Sequence, residues 1–251
     1  MFSDYIIEKV VEESSIIKSF YLRPKENTPL KPFKPGQYVA VRIKLEEHAK
    51  PVLRNYSLSD RPGLDYYRIS IKKEEEGLVS KSLYNSLKVG DLLELSIPLG
   101  KFHLSNDEHA PLVLISGGVG ITPMISMLEY SLHQSAQRRI YFIHSSRDRN
   151  VQAMHSRLKE LQRRYDTLSL SIFHSQPRET EIKGLDYDEK GKITKAFLHS
   201  VLPNEPSHYF LCGSLPFMQS IYDFLVSNGV DPKAIKYEFF GVGRIDTKKS
   251  K

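Results

Sequence analysis

Residues 112–124 read LVLISGGVGITPM, an apolar run that passes through three glycines into a threonine–proline pair. LVLIS has the length of a buried strand, and TPMISMLEYSL after it has the composition of a helix packed on one face. A strand that enters a helix through a glycine turn is the first arm of a crossover unit. The same grammar recurs downstream: RRIYFIHSS precedes VQAMHSRLKELQRRY, LSLSIFHS precedes TKAFLHSVL across a polar loop, HYFLCGS precedes PFMQSIYDFLVSNG, and IKYEFF closes the series. Strands alternating with helices predict a parallel sheet covered on both faces.

Upstream the grammar is different. YIIEKVV, IIKSFYL, GQYVAVRIKL, YYRISIKK and DLLELSIPL are short and alternating, and KPFKPG, RPGLD and KVGD separate them. Such segments predict an antiparallel sandwich or small barrel. EGLVSKSLYNSLKVG departs from this rule, because Val79, Leu83 and Leu87 recur every four positions and predict one helix inserted between strands. The expected organisation is therefore an antiparallel β-barrel domain over 1–107, an α/β parallel-sheet domain over 108–243 and a basic tail over 244–251.

With 251 residues, 40% hydrophobic, the chain has room for two ordinary globular domains. Asp4, Glu8, Lys9 and Glu12 interrupt the first apolar stretch, so it reads as neither a signal peptide nor a membrane span, and a cytoplasmic location with no membrane partner is expected. The single cysteine, Cys212, precludes an internal disulfide and a cysteine-ligated iron–sulfur cluster or zinc site built from this chain alone. The nine histidines are scattered without an H-E-x-x-H pattern, so no metal site is expected. Net charge is +6, but the final stretch RIDTKKSK holds four basic groups against one acid and accounts for half of that excess. The body is nearly balanced, and nucleic acid is not an expected partner.

In the glycine turn, Gly117, Gly118 and Gly120 leave backbone N–H groups unobstructed at a helix N-terminus, where the macrodipole favours a diphosphate. Thr122 is positioned as an N-cap, with Pro123 as the first helical residue. The spacing is not G-x-G-x-x-G, because Pro123 stands where the third glycine belongs. By itself the loop fits either a ligand site or a tight turn. The second strand ends in IHSSRDR, which places Ser145, Ser146, Arg147 and Arg149 where a dinucleotide's ribose would reach, and arginine suits a 2′-phosphate. Asp148 lies within that cluster, and a solvated charged loop is the rival reading. LCGSLPFM puts Cys212 and Gly213 at another strand end. In RNYSLSD, alternation sends Arg54 and Tyr56 to one face of a strand and Asn55 and Ser57 to the other, either as an exposed edge strand or as a seat for a flat group tethered to phosphate.

In order along the chain, GQYVAV, RNYSLSD, YYRISIKKE, GLVSKSLYN, ISGGVGITPMISML, LCGSLPFMQ and YEFFG resemble the ferredoxin–NADP reductase superfamily, with the closest likeness to the reductase portion of flavohaemoglobins. The resemblance runs from Tyr5 to Gly241. It implies a ferredoxin reductase-like fold in which the barrel binds FAD and the α/β domain binds NADPH or NADH. It further implies that Arg54 pairs with the FAD diphosphate, Tyr56 lies along the isoalloxazine, Ser57 serves flavin N5, Tyr38 adds flavin contact, and Gly77, Leu78, Val79 and Ser80 meet the diphosphate. Gly117, Gly118, Gly120 and Thr122 would bind the nicotinamide nucleotide's diphosphate, which agrees with the strand-end placement of Ser146 and Arg147 at its ribose. Cys212 and Gly213 would lie near the nicotinamide, Glu238 would complete the site, and Phe240 would cover the flavin until nicotinamide displaces it. Ser57, Cys212 and Glu238 are thus the expected catalytic residues.

The chain opens on barrel strands without a globin segment. The expected activity is therefore electron transfer from NAD(P)H through FAD to a separate acceptor, either a haem protein, an iron–sulfur protein, a flavodoxin-like carrier or a small molecule. The alternative is a non-catalytic flavin- or nucleotide-binding subunit of a larger redox complex, against which the retention of Ser57, Cys212 and Glu238 argues.

Overall fold

The computed structural model describes residues 2–26, 28–44, 50–104, 110–241 and 245–246. The chain divides into two compact units, Met1–Leu104 with Ile125–Tyr130, and Ser105–Met124 with Ser131–Lys251. The division expected at 107/108 falls in 105–109, outside the described residues.

The first unit holds β1 (Phe2–Ser14), β2 (Ile17–Pro24), β3 (Tyr38–Ile43), β4 (Val52–Ser57), β5 (Tyr67–Lys72), α1 (Leu78–Ser86) and β6 (Leu92–Ser96). The strands run antiparallel in the order β4-β3-β6-β1-β2-β5. An antiparallel bridge between Leu58, just past β4, and Ile69 of β5 joins the two ends into a barrel. Period-two alternation explains the closure, since Val39, Val41, Phe20, Leu22, Ile69, Ile71 and Leu95 all turn inward and none is more than 1% exposed. Val79 and Leu83 of α1 join this same core, as their four-residue spacing predicts.

The second unit holds β7 (Leu112–Gly117), α2 (Ile121–Gln134), β8 (Ile140–Ser146), α3 (His155–Arg164), β9 (Leu168–His174), β10 (Glu189–Lys190), α4 (Lys195–Val201), β11 (His208–Cys212), α5 (Leu215–Ser227) and β12 (Ile235–Glu238). All its strands are parallel, in the order β10-β9-β8-β7-β11-β12. Ile115, Ile143 and Leu211 pack with Met218, Ile221 and Leu225 of α5 on one face. Among the described residues no helix is long and apolar enough to cross a membrane.

Three local details differ from the sequence expectation. The turn Gly118–Gly120 is already a 3-10 helix, so α2 begins at Ile121 with Gly120 as its N-cap. Thr122 is therefore helical rather than capping, and its hydroxyl donates to the Val119 carbonyl (3.0 Å). Helix α3 starts at His155 instead of Val151, because Met154 adopts a left-handed conformation (φ 58°) that breaks helical winding. Within the expected basic tail, Ile245 is only 2% exposed and packs in the core with α5. Asp246 donates its N–H to Gln219 Oε1 (2.7 Å), while Gln219 Nε2 donates to the Asp246 carbonyl (3.1 Å). Burying an isoleucine contributes about 1.5–3 kcal/mol, enough to seat this segment whatever its neighbours' charge.

Candidate active site

In the first unit, β4 is paired on one side by β3, with Tyr38 opposite Ser57, Val39 opposite Tyr56 and Val41 opposite Arg54. Directly opposed residues share a face, so Arg54 and Tyr56 lie on one face and Ser57 with Tyr38 on the other. Arg54 is exposed, and its Nη1 donates to the Leu53 carbonyl (2.9 Å). Tyr56 is half-buried against the barrel core; burial pushes its hydroxyl pKa up to about 12, with the Arg54 charge acting in the opposite sense. Ser57 is 4% exposed and its Oγ has no hydrogen-bond partner among the described residues. A buried hydroxyl without a partner costs about 1–3 kcal/mol, so this group is poised for a ligand. Tyr38 lies against Gly100, where an added Cβ would stand 2.9 Å from the ring.

Gly77 caps α1, and a Cβ there would strike Ser80 Oγ. The Ser80 hydroxyl is occupied by the turn, donating to the Gly77 carbonyl (3.2 Å) and accepting from the Glu74 N–H (3.2 Å). Ser80 thus shapes the turn, and the backbone N–H groups of Leu78 and Val79 are what α1 offers an anion. Leu78 is 53% exposed, whereas Val79 is buried in the core.

In the second unit, register aligns Ser116, Cys212 and Glu238 across the carboxyl ends of β7, β11 and β12, with His144 of β8 next to Ser116. This is the edge at which ligands bind open parallel sheets. The glycine loop is brought to the same place by close approach. A Cβ on Gly120 would lie 2.6 Å from the Cys212 carbonyl carbon, so only glycine permits this contact. A Cβ on Gly213 would lie 2.8 Å from Phe217 and 3.3 Å from the Gly117 nitrogen. ISGGVG and LCGSLPF are therefore one surface. Gly118 (φ 55°) faces open space, where its backbone can approach a ligand.

The electrostatics of this edge separate its groups. Burial, reinforced by the charge of Glu238, holds the Cys212 thiol well above its ordinary value. The sulfur is thus a neutral, fully buried group and no nucleophile at neutral pH. Burial also pushes Glu238 up to about 7, and its Oε2 is buried without a partner among the described residues. His144 is wholly buried, its Nδ1 lies 2.8 Å from Ser116 Oγ, and burial, then the nearby His174 and His155, drive it down to about 3. Ser146 Oγ donates to the Asp148 carbonyl (3.3 Å). Arg147 Nε donates to Asp148 Oδ2 (3.0 Å), and Arg178 Nε stands 3.9 Å from the same oxygen. Phe239 packs against the core while Phe240 is 43% exposed.

Residues 5–104 match the family described as Oxidoreductase FAD-binding domain, and residues 114–223 match the family described as Oxidoreductase NAD-binding domain. The flavohem-like FAD/NAD-binding domain of nitric oxide dioxygenase from Vibrio cholerae is 30% identical and superposes with a TM-score of 0.86, covering 96% of this chain and 99% of that one. The chain belongs to the ferredoxin–NADP reductase superfamily. A flavohemoprotein of Bacillus cereus is 40% identical over 245 residues, 96% of this chain and 61% of that protein. Flavohemoglobin from Malassezia yamatoensis, solved with bound FAD and heme, gives a TM-score of 0.83 at 26% identity over 96% of this chain and 60% of that one. This reductase spans about three fifths of the length of the curated relatives it matches, 61% for the first of them. It is an FAD- and NAD(P)H-dependent oxidoreductase.

Several residues of the reductase's candidate site carry no signal in the linear sequence. Phe217 walls both Gly117 and Gly213, and Arg178 joins Asp148 from thirty positions away. Ser116 and His144 look like strand residues until register pairs them. The partnerless Ser57 Oγ and Glu238 Oε2, together with the side-chain-free glycine surface, fit FAD and a nicotinamide nucleotide. A cleft of about 510 Å3 at the opposite, amino end of β11, among Leu202, Glu205, Tyr209 and Asn228, contains none of these residues.

Proposed function

We propose that this reductase takes electrons preferentially from NADPH and passes them to a separate haem protein. The observation that carries its flavin and nicotinamide part is that Ser57 Oγ and Glu238 Oε2, at positions the resemblance implies for those rings, are buried polar atoms with no partner among the described residues. The chemistry FAD supplies when bound is uptake of a hydride from reduced nicotinamide and release of the electrons singly.

Each residue contributes binding, orientation or proton control. Arg54 offers an exposed guanidinium to a diphosphate, Tyr56 an apolar ring face, and Tyr38 a second one. The Ser57 Oγ–H orients a ring nitrogen by donating to it. Within Gly77–Ser80 the backbone N–H groups of Leu78 and Val79, and in the second unit those of Gly117, Gly118 and Gly120, neutralise diphosphate charge. Thr122 and Gly213 complete the second of these surfaces. The neutral Cys212 thiol excludes water from the nicotinamide edge, Glu238 Oε2 holds a proton up to about pH 7, and Phe240 guards the nicotinamide position. Ser146 and Arg147, with Arg178 drawn in by Asp148, favour a 2′-phosphate over a bare hydroxyl. The haem acceptor rests on the likeness to flavohemoproteins.

An anaerobic titration of FAD-loaded protein with NADPH and NADH, followed by flavin absorbance, tests the donor. Mixing the reduced protein with a ferric globin or an iron–sulfur ferredoxin then tests the acceptor. Faster bleaching by NADPH and reduction of the globin are expected. Bleaching by NADH alone, or reduction of the ferredoxin alone, would replace the corresponding half of the reading.

A further inference from the structure

His174 and Glu181 form a buried pair that none of the roles above uses. His174 is wholly buried and the Glu181 side chain is 5% exposed. His174 Nδ1 lies 2.6 Å from Glu181 Oε2, and its Nε2 lies 2.7 Å from Gln152 Oε1. Glu181 Oε1 accepts the backbone N–H of Arg149 (2.9 Å). Ser175 and Gln176, directly after His174, donate their N–H groups to the carbonyls of Ser146 (3.0 Å) and Arg147 (2.8 Å). The end of β9 and the loop beyond it therefore grip Ser146, Arg147, Arg149 and Gln152 one after another. Within that stretch Asp148 Oδ1 accepts the Val151 N–H (3.2 Å). At its far end Met154 keeps a left-handed backbone, which persists only where surrounding contacts impose it.

A loop chosen for stability alone has no need of two buried ionisable groups, because apolar packing serves as well or better. Directional partners are what a fixed loop shape requires. We propose that His174 and Glu181 are positioning residues for the dinucleotide, holding Ser146–Gln152 in the shape that presents Ser146 and Arg147 to the adenosine ribose and its 2′-phosphate. This rests on the nucleotide reading of that loop given above.

Calorimetric titration of the FAD-loaded chain with adenosine 2′,5′-bisphosphate tests it, since this probe carries the ribose phosphate and no nicotinamide. Glu181→Ala, which frees the Arg149 N–H and His174 together, is expected to weaken binding about tenfold or more. Glu181→Gln, which retains one acceptor oxygen, should fall between parent and alanine variant. His174→Asn keeps a donor toward Glu181 but loses the Gln152 link, and should also weaken the probe. In turnover, KM for NADPH should rise while kcat and FAD content stay within about twofold, as expected when only binding geometry is lost. Arg147→Ala is the reference. If Arg147→Ala weakens the probe while Glu181→Ala and His174→Asn bind it as the parent does, the positioning role is overturned alone. If Arg147→Ala also binds as the parent does, the nucleotide reading of the loop falls and takes the positioning role with it. Should the alanine variant not fold, Glu181→Gln and His174→Asn decide the matter.

Discussion

Glu238→Gln is the perturbation whose consequence follows most directly from the site. Burial raises this carboxyl from 4.5 to about 7, so between those values the folded protein binds more protons than the unfolded chain. Stability must then fall as pH rises through this window, the opposite of a salt-bridged carboxylate. At about 1.4 kcal/mol per pH unit, the full rise corresponds to about 3 kcal/mol, an upper figure for a side chain that keeps some solvent contact. Glutamine has the same shape and no titration. The variant should therefore lie within about 1 kcal/mol of the parent near pH 5 and exceed it by up to about 3 kcal/mol at pH 8. His144 and His155, both lowered by burial, lose stability in the other direction, as pH falls below their ordinary value of 6.5. They are present in both proteins, so the difference between the two curves isolates Glu238. Urea denaturation of parent and variant from pH 5 to 8, without nicotinamide nucleotide, measures it. Parallel curves across that range would refute the buried, partnerless state of Glu238 Oε2 and the proton-holding role built on it.

Four further variants have expected outcomes. Arg54→Ala should weaken FAD binding about tenfold to a hundredfold, the worth of one charged hydrogen-bonding group, as read by flavin retained after gel filtration. Ser57→Ala should leave the flavin-free protein unchanged or up to about 1 kcal/mol more stable, because it deletes an unsatisfied hydroxyl. The same variant should slow flavin reduction about tenfold in stopped-flow measurements, and an equal rate would remove Ser57 from catalysis. Gly120→Ala forces a methyl into the Cys212 carbonyl and should cost about 2 kcal/mol or more, together with loss of NAD(P)H binding, seen by thermal denaturation and nucleotide titration. Arg147→Ala should lower kcat/KM for NADPH about tenfold while that for NADH stays nearly constant, and an equal loss with both nucleotides would assign Arg147 to the diphosphate or to structure.

Much of the molecule was legible because its signals are local. Alternation marked the barrel strands, four-residue spacing marked α1 as the one inserted helix, and the apolar runs 112–116 and 208–212 marked strands of a parallel sheet. The glycine loop was legible as an anion surface, though not in detail. Thr122 looked like a cap because its type favours one, whereas the preceding 3-10 turn had already begun the helix. β10 escaped notice because two charged residues carry no strand periodicity, and Met154 because nothing in a methionine announces a left-handed backbone. Ile245 was hidden inside a basic stretch whose average composition reads as solvated.

By itself, then, the sequence determined the two halves and the kind of sheet in each, and it marked the residue types we propose for the flavin and nucleotide site, since each depends on neighbours within about one turn or one hairpin. Strand order, by contrast, is a property of the folded chain. Only β7 lying between β8 and β11 sets Gly120 on the Cys212 carbonyl, and only β12 beside β11 brings Glu238 to the same cysteine, whose thiol is raised by burial and then by the Glu238 charge. The His174–Glu181 grip on Arg149 likewise joins residues from β9, a polar loop and the turn after β8, positions with no periodic relation to one another. Contacts of that kind are decided by packing and desolvation in three dimensions, where burial turns an ordinary carboxyl, thiol or imidazole into a group with a particular task.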